Sequence, residues 1–454
     1  MNKILQLIFL TITTLNAYPE MQDIPPEVLE KMPEEMRKKM GLEEESSDYE
    51  TIQEFLDDGD YETSEGFLKL YKNLEDDEYF LELSENDLNE EFIYFAYSMN
   101  APQAAGIRGG ALGDGYILEF RRFKDGLSLH KKNTYFSNET DNNIGKADLT
   151  NVFEAFLDKF DIVVEEEGKI IISVNDLFLS ETLSTVSPNL PRQFREFVDL
   201  DLGRSDDSKT FINQVRNYPK NTAIEVTYGF ANATPNQRSA VYAVADARFT
   251  SIVSRHLFVE MPDDNFEPRV ADQRVGYFSQ RVTDMSTYDN YPQRDLINKW
   301  RLIKKDPSAE LSEPVKPIVF WVDKATPEEI KPMIVKGIEA WNIAYERAGF
   351  KNAVVAKIQP DDAEWDAGDV QYNVVRWSSS PRPAFSGYGP SIGNPRTGEL
   401  IAADIVQEFN AIKRGYNYRK LWGWTPDNDP LEQWMISLTM HEVGHTIGLR
   451  HNFS

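Results

Sequence analysis

The sequence contains no cysteine and only five histidines among its 454 residues. The missing cysteine excludes a disulfide scaffold, thiolate zinc fingers, iron–sulfur clusters and a cysteine nucleophile. No apolar run reaches the roughly 20 residues that a membrane-spanning helix needs. Basic residues are outnumbered as well: 48 Lys and Arg stand against 75 Asp and Glu, for a formal net charge of −27. With no Lys/Arg-rich run, such a charge repels a phosphate backbone, and nucleic acid is set aside as a partner. What the chain does have is apolar material, at 41% hydrophobic and 12% aromatic. That is enough to bury sizeable cores, and the length suits about three domains.

Residues 1–17 read as a secretory signal peptide. Met1–Lys3 give a positive start, Ile4–Leu15 an apolar run too short to cross a bilayer, and Ala17 a small-residue end before Tyr18-Pro19. This predicts a secreted or extracytoplasmic protein, in a periplasm or at a cell surface. The charge is concentrated just behind it: residues 43–91 hold 20 Asp/Glu and two Lys. Clusters such as Glu43-Glu44-Glu45 and Glu75-Asp76-Asp77-Glu78 repel one another in a compact state. Residues 18–91 are therefore expected to be an acidic leader, loosely helical or disordered, or a pro-segment.

Residues 92–265 have the texture of an antiparallel β-rich domain. Tyr116–Arg121 and Leu127–Lys131 flank the turn Lys124-Asp125-Gly126, and Ile162–Glu166 pairs with Lys169–Val174 across Glu167-Gly168. Ile224, Val226, Tyr228 and Phe230 alternate as one buried strand face, followed by a strand at 239–244. Gly106–Gly115 lacks the Lys-Ser/Thr and the helix of a phosphate loop. His130 and His256 stand alone, as surface or satisfied core residues.

A polar connector at 266–300 leads to 301–454. There Pro317–Val322 reads as a buried strand. Thr326, Pro327 and Glu329 open a helix with the stripe Ile330, Ile334, Ile338, Trp341 and Tyr345, ended by Gly349. Strands follow at Ala353–Ile358, Val370–Trp377 and Leu400–Val406. A second helix opens at Asp429, with Pro430 just inside it and Glu432 closing a capping box. Three of the five histidines fall on or just beyond this helix, within the last fourteen residues. His441 and His445, four apart, share a helix face and can reach one Zn2+. Gly448 can stop the helix in a left-handed conformation, so that His451 returns as a third nitrogen ligand. Glu442, one residue round the helix, suits a general base acting on water activated by the metal.

With these residues in place, His441-Glu442-Val443-Gly444-His445-Thr446-Ile447-Gly448-Leu449-Arg450-His451 resembles the long zinc signature of the metzincin metalloproteases. The match is closer to the large exported bacterial proteases of the Met-zincin type, which carry an uncharacterised β-rich domain ahead of the peptidase. It rests on Ser312–Ile318, Trp341-Asn342, Asn373–Trp377, Asn394–Glu399 and His441–Phe453, and more loosely on Asn217–Asn221 and Ile224–Val226, so that it spans roughly 90–454.

The resemblance implies an α+β chain: the β-rich domain, then a metzincin-like mixed sheet with a backing helix, Thr326–Ala348, and an active-site helix, Asp429–Ile447. It implies that Leu400–Val406 is the edge strand to which a substrate peptide adds. It also implies zinc-dependent hydrolysis of protein or peptide substrates, with Glu442 as base and then acid. Metzincins close the site with a methionine turn downstream of the third histidine, and all 11 Met of this sequence precede the motif. Two readings follow: a fragment of a longer protease without its C-terminal subdomain, or a truncated, non-catalytic metal-binding exported module. The oligomeric state is not legible.

Overall fold

The computed structural model describes residues 49–107, 109–113, 115–138, 143–144, 146, 150–187, 199–235, 243–263, 265–380, 385–421 and 431–451. The signal-peptide reading, the Asp429-Pro430 helix start and most of the strand expected at 239–244 lie outside them. Strands dominate, with fewer helices, in keeping with an α+β chain.

The N-terminal part is a sandwich of two antiparallel sheets. The larger runs in the order Arg204–Ser205, Asn221–Ala231, Phe249–Glu260, Glu91–Asn100, Tyr116–Phe123, Gly126–Lys131, Ala155–Phe160. The smaller runs Tyr61–Ser64, Lys69–Asn73, Tyr79–Ser84, Lys169–Ser173, Ile162–Glu166. Both expected hairpins form: Phe123 pairs with Gly126 and Glu166 with Lys169. Lys124, Glu167 and Gly168 adopt the positive φ that such two-residue turns require. Ile224, Val226, Tyr228 and Phe230 all point into the shared core, against Leu70, Leu81, Ile170 and Ile172 of the other sheet.

The acidic stretch differs from its expectation. Residues 52–57 form a helix and residues 61–84 supply three strands of the smaller sheet. The charges alternate with Leu68, Leu70, Tyr79, Leu81 and Leu83, which join the core. Phe55 packs on the outer face of that sheet against Tyr61 and Phe80, with ring centroids 4.6 and 5.1 Å away. Apolar burial at every second residue outweighs repulsion between carboxylates that stay in water or meet a lysine, as Asp77 meets Lys72.

Strand Glu91–Asn100 is buried on both faces. Phe92, Tyr94 and Ala96 face the sandwich core, while Ile93, Phe95 and Tyr97 face the other way. The outward set, with Ala223, Leu257 and Val259, packs on Ile392 and Ala402 of the C-terminal sheet and on Val370, in the turn ahead of strand Asn373–Ser378. Polar contacts reinforce the joint: fully buried Asn221 donates to the Gly368 carbonyl (2.9 Å) and accepts from the Val370 amide (3.0 Å). Arg396 clasps Glu91 through two hydrogen bonds.

In the C-terminal part, Val354–Ile358, Ile318–Val322, Asn373–Ser378 and Glu399–Glu408 run parallel in that order, with short antiparallel strands Gly387–Tyr388 and Ser391–Gly393 against the last. The helix expected over Thr326–Ala348 is shorter and broken, into Lys331–Glu339 and Asn342–Arg347. Pro332 is the reason for the late start. It has no N–H for a carbonyl four residues back and is tolerated only in a first turn, so regular helix begins at Lys331. Thr326 does not cap the helix, and its buried hydroxyl has no hydrogen-bond partner among the described residues. At the break, Asn342 turns its side chain onto both backbone groups of Val354.

The connector is built rather than slack. Ser279–Asp284 and Gln293–Ile297 form a hairpin, and the residues before it reach the metal-motif turn described below.

Candidate metal centre

Helix Leu431–Thr446 carries the motif. Met435, Thr439, Val443 and Thr446 are buried toward the sheet and the backing helix. Two glycines permit the close crossing: a Cβ on Gly337 would lie 2.6 Å from Thr439, and one on Gly444 would lie 2.9 Å from the Trp341 ring. The Trp341 indole then donates to the Met440 carbonyl at 2.8 Å. This fixes the helix one residue before its first histidine.

The helix ends at Gly448, at φ +107°, and the Leu449 amide reaches back to the Gly444 carbonyl at 3.0 Å. A side chain there would collide with the Asn298 carbonyl, 2.1 Å from the Cβ position. Glycine is thus required both by φ and by packing. The turn returns His451 to the two helical histidines.

The Nε2 atoms of His441, His445 and His451 form a triangle with sides of 3.0, 3.0 and 3.1 Å. Such a triangle measures roughly 1.8 Å from centre to corner, a few tenths of an ångström short of a Zn–N bond of ~2.0–2.1 Å. His445 Nδ1 lies 2.7 Å from the Leu449 carbonyl and donates to it, so its Nε2 presents a lone pair to the triangle. Burial, and then the neighbouring His445 and His451, pull the His441 pKa down, which favours the neutral form that a metal ligand needs. All three nitrogens converge on a point that could hold one metal ion, with His441 and His451 exposed to solvent.

Glu442, the next residue along the helix after His441, is buried. Its carboxylate lies against Gly387, where a Cβ would come within 2.6 Å of Oε1. Burial pushes its pKa up to about 7. The structure thus brings together the three histidines singled out from the sequence, with Glu442 on the same helix beside the first of them.

One expectation is overturned. Leu400–Val406 is not an edge, because Val406 pairs with Arg376 on one side and Tyr388 on the other. The outer position belongs to Gly387–Gly393, whose far side pairs with no strand among the described residues. Sequence reading missed this segment, since Gly387, Gly389, Pro390 and Gly393 break any alternation. The run of small residues is the one available signal, and its cause is close approach: Gly387 and Gly389 both abut Glu442.

Two families match parts of the chain. A domain of unknown function, DUF5117, matches residues 109–305, and the family described as Met-zincin, DUF4953, matches residues 427–454. The comparisons with curated proteins and with solved structures return no match. The Met-zincin match and the three-histidine cluster together fit a zinc-dependent peptidase. Among the described residues no helix is long and apolar enough to cross a membrane.

Proposed function

We propose that the chain carries the centre of a zinc-dependent endopeptidase, with His441, His445 and His451 as metal ligands and Glu442 as general base. The observation that carries the reading is the triangle of three Nε2 atoms within 3.1 Å of one another, beside a carboxyl group buried one residue away in sequence. Zinc held there supplies a Lewis acid that polarises a peptide carbonyl and makes water acidic enough to attack near neutral pH.

The residues of the chain do the rest. Glu442 takes one proton from the attacking water as its oxygen adds to the carbonyl carbon. It returns that proton to the nitrogen as the C–N bond breaks, leaving one carboxylic acid and one amine. The outer edge Gly387–Gly393 receives the substrate backbone as an added strand, beside Glu442. The pattern of residues 1–17 supports an extracytoplasmic compartment for the enzyme, with proteins or peptides as its substrates.

A non-catalytic metal-holding module is the weaker reading, because nothing in metal storage calls for a carboxyl group buried next to a ligand. The full chain is to be incubated with a quenched-fluorescence peptide library, with and without a chelator. Hydrolysis that stops on chelation and returns with zinc is expected. Hydrolysis indifferent to chelation would overturn the assignment.

A further inference from the structure

The turn that delivers His451 does not stand on its own. Its residues Gly448–Arg450 lie antiparallel to Gly276–Phe278 of the connector. The Phe278 amide donates to the Gly448 carbonyl (2.7 Å), the Arg450 amide to the Gly276 carbonyl (3.0 Å), and Tyr277 bridges to Leu449. Behind it the Asn298 amide donates to the Phe278 carbonyl at 2.7 Å, and the Trp300 indole to the Thr446 carbonyl at 2.9 Å. The Phe278 ring stands edge-on to the His445 imidazole, 5.9 Å between centroids.

Leu449 matters twice. Its carbonyl takes the Nδ1 proton of His445 and so orients that ligand, and it lies two residues before His451. Whatever holds Leu449 holds both. The segment that does so falls inside the region matched by the domain of unknown function, residues 109–305.

We propose that the connector strand Gly276–Phe278 is a positioning element of the metal centre: it fixes the Leu449 carbonyl and the approach of His451 before any metal arrives. On this view the domain of unknown function is neither a detachable leader nor a substrate-docking appendage. Its last segment completes the scaffold of the ligand set. The proposal rests on the zinc reading of the three histidines.

The test uses the full chain and the variants Phe278→Pro, which removes the amide that donates to Gly448, and Phe278→Leu, which keeps the amide and an apolar side chain. Zinc affinity is measured by competition with a chromophoric chelator, and ligand geometry by the visible spectrum of the Co2+ form. Phe278→Pro is expected to bind zinc at least tenfold more weakly, the scale of a lost partner behind a ligand, with altered Co2+ bands. Phe278→Leu should stay within about twofold of the parent. A folded Phe278→Pro with the parent's affinity and spectrum overturns the proposal.

Should that variant not fold, hydrogen exchange on the unsubstituted, metal-free chain decides. Slow exchange at the Phe278 and Arg450 amides supports a preformed turn, and fast exchange that only zinc slows overturns it. A parent chain that takes up no zinc overturns the metal reading itself, a result distinct from zinc uptake that Phe278→Pro leaves untouched.

Discussion

Gly387→Ala isolates Glu442 without touching a metal ligand. The Cβ it adds would lie 2.6 Å from Glu442 Oε1, 2.7 Å from Cγ and 2.8 Å from Cδ. Ordinary contact begins near 3.4 Å, so the carboxyl group must retreat by roughly 0.7 Å, and a shift of that size at a proton-transfer group costs about 10- to 100-fold in rate. The φ of Gly387 is not positive, so the backbone accepts alanine and the effect is one of space. Zinc content, measured by mass spectrometry, should be unchanged, while kcat on the best library peptide falls by that factor. In a Glu442→Gln background the same substitution should cost nothing further, because the group it displaces has already lost its function. Parent-level turnover in Gly387→Ala would refute the reasoning. So would an equal additional loss in the Glu442→Gln background, since the strand would then act on its own.

Two further predictions concern the β-rich domain. His256 is fully buried, with Nδ1 2.6 Å from the Tyr94 hydroxyl and Nε2 2.7 Å from that of Tyr228. Burial pulls its pKa from 6.5 down to about 4. The unfolded chain gains a proton at this position as pH falls through 6.5, whereas the folded chain resists until about 4. The stability is therefore fully present above pH 6.5 and declines as pH falls below it toward 4, by about 3 kcal/mol in all. Urea unfolding of the metal-free parent and of His256→Gln should show a gap that narrows in this way on acidification, and a gap independent of pH would contradict it. Asn221→Ala leaves the Gly368 carbonyl and the Val370 amide without their buried partner, which should cost about 2–4 kcal/mol. A loss below about 0.5 kcal/mol in the same assay would mean that the joint between the two parts is not held there.

What the sequence made legible was local. His441 and His445 meet because of helical spacing, and both hairpins follow from turn residues that accept positive φ. The failures share a cause in distance or in counting. Thr326 looked like a cap until Pro332, six residues on, forced a later start. The charges of residues 43–91 drew attention away from Leu68, Leu70, Leu81 and Leu83, whose burial orders part of that stretch. Gly387 and Gly389 interrupt the alternation because Glu442 of the neighbouring helix, about 55 residues on in sequence, leaves no room for a side chain at either. The pairing of Gly276–Phe278 with Gly448–Arg450 joins segments about 170 residues apart, and no local pattern encodes it.

The central claim is that His441, His445 and His451 hold one zinc ion which Glu442 uses without binding. The most direct measurement is zinc per chain by mass spectrometry on the purified full chain and on His441→Ala, His445→Ala, His451→Ala and Glu442→Gln. The account predicts one zinc per chain in the parent and in Glu442→Gln, and strongly reduced zinc in each histidine variant. Zinc retained at parent level through all three histidine substitutions would contradict it.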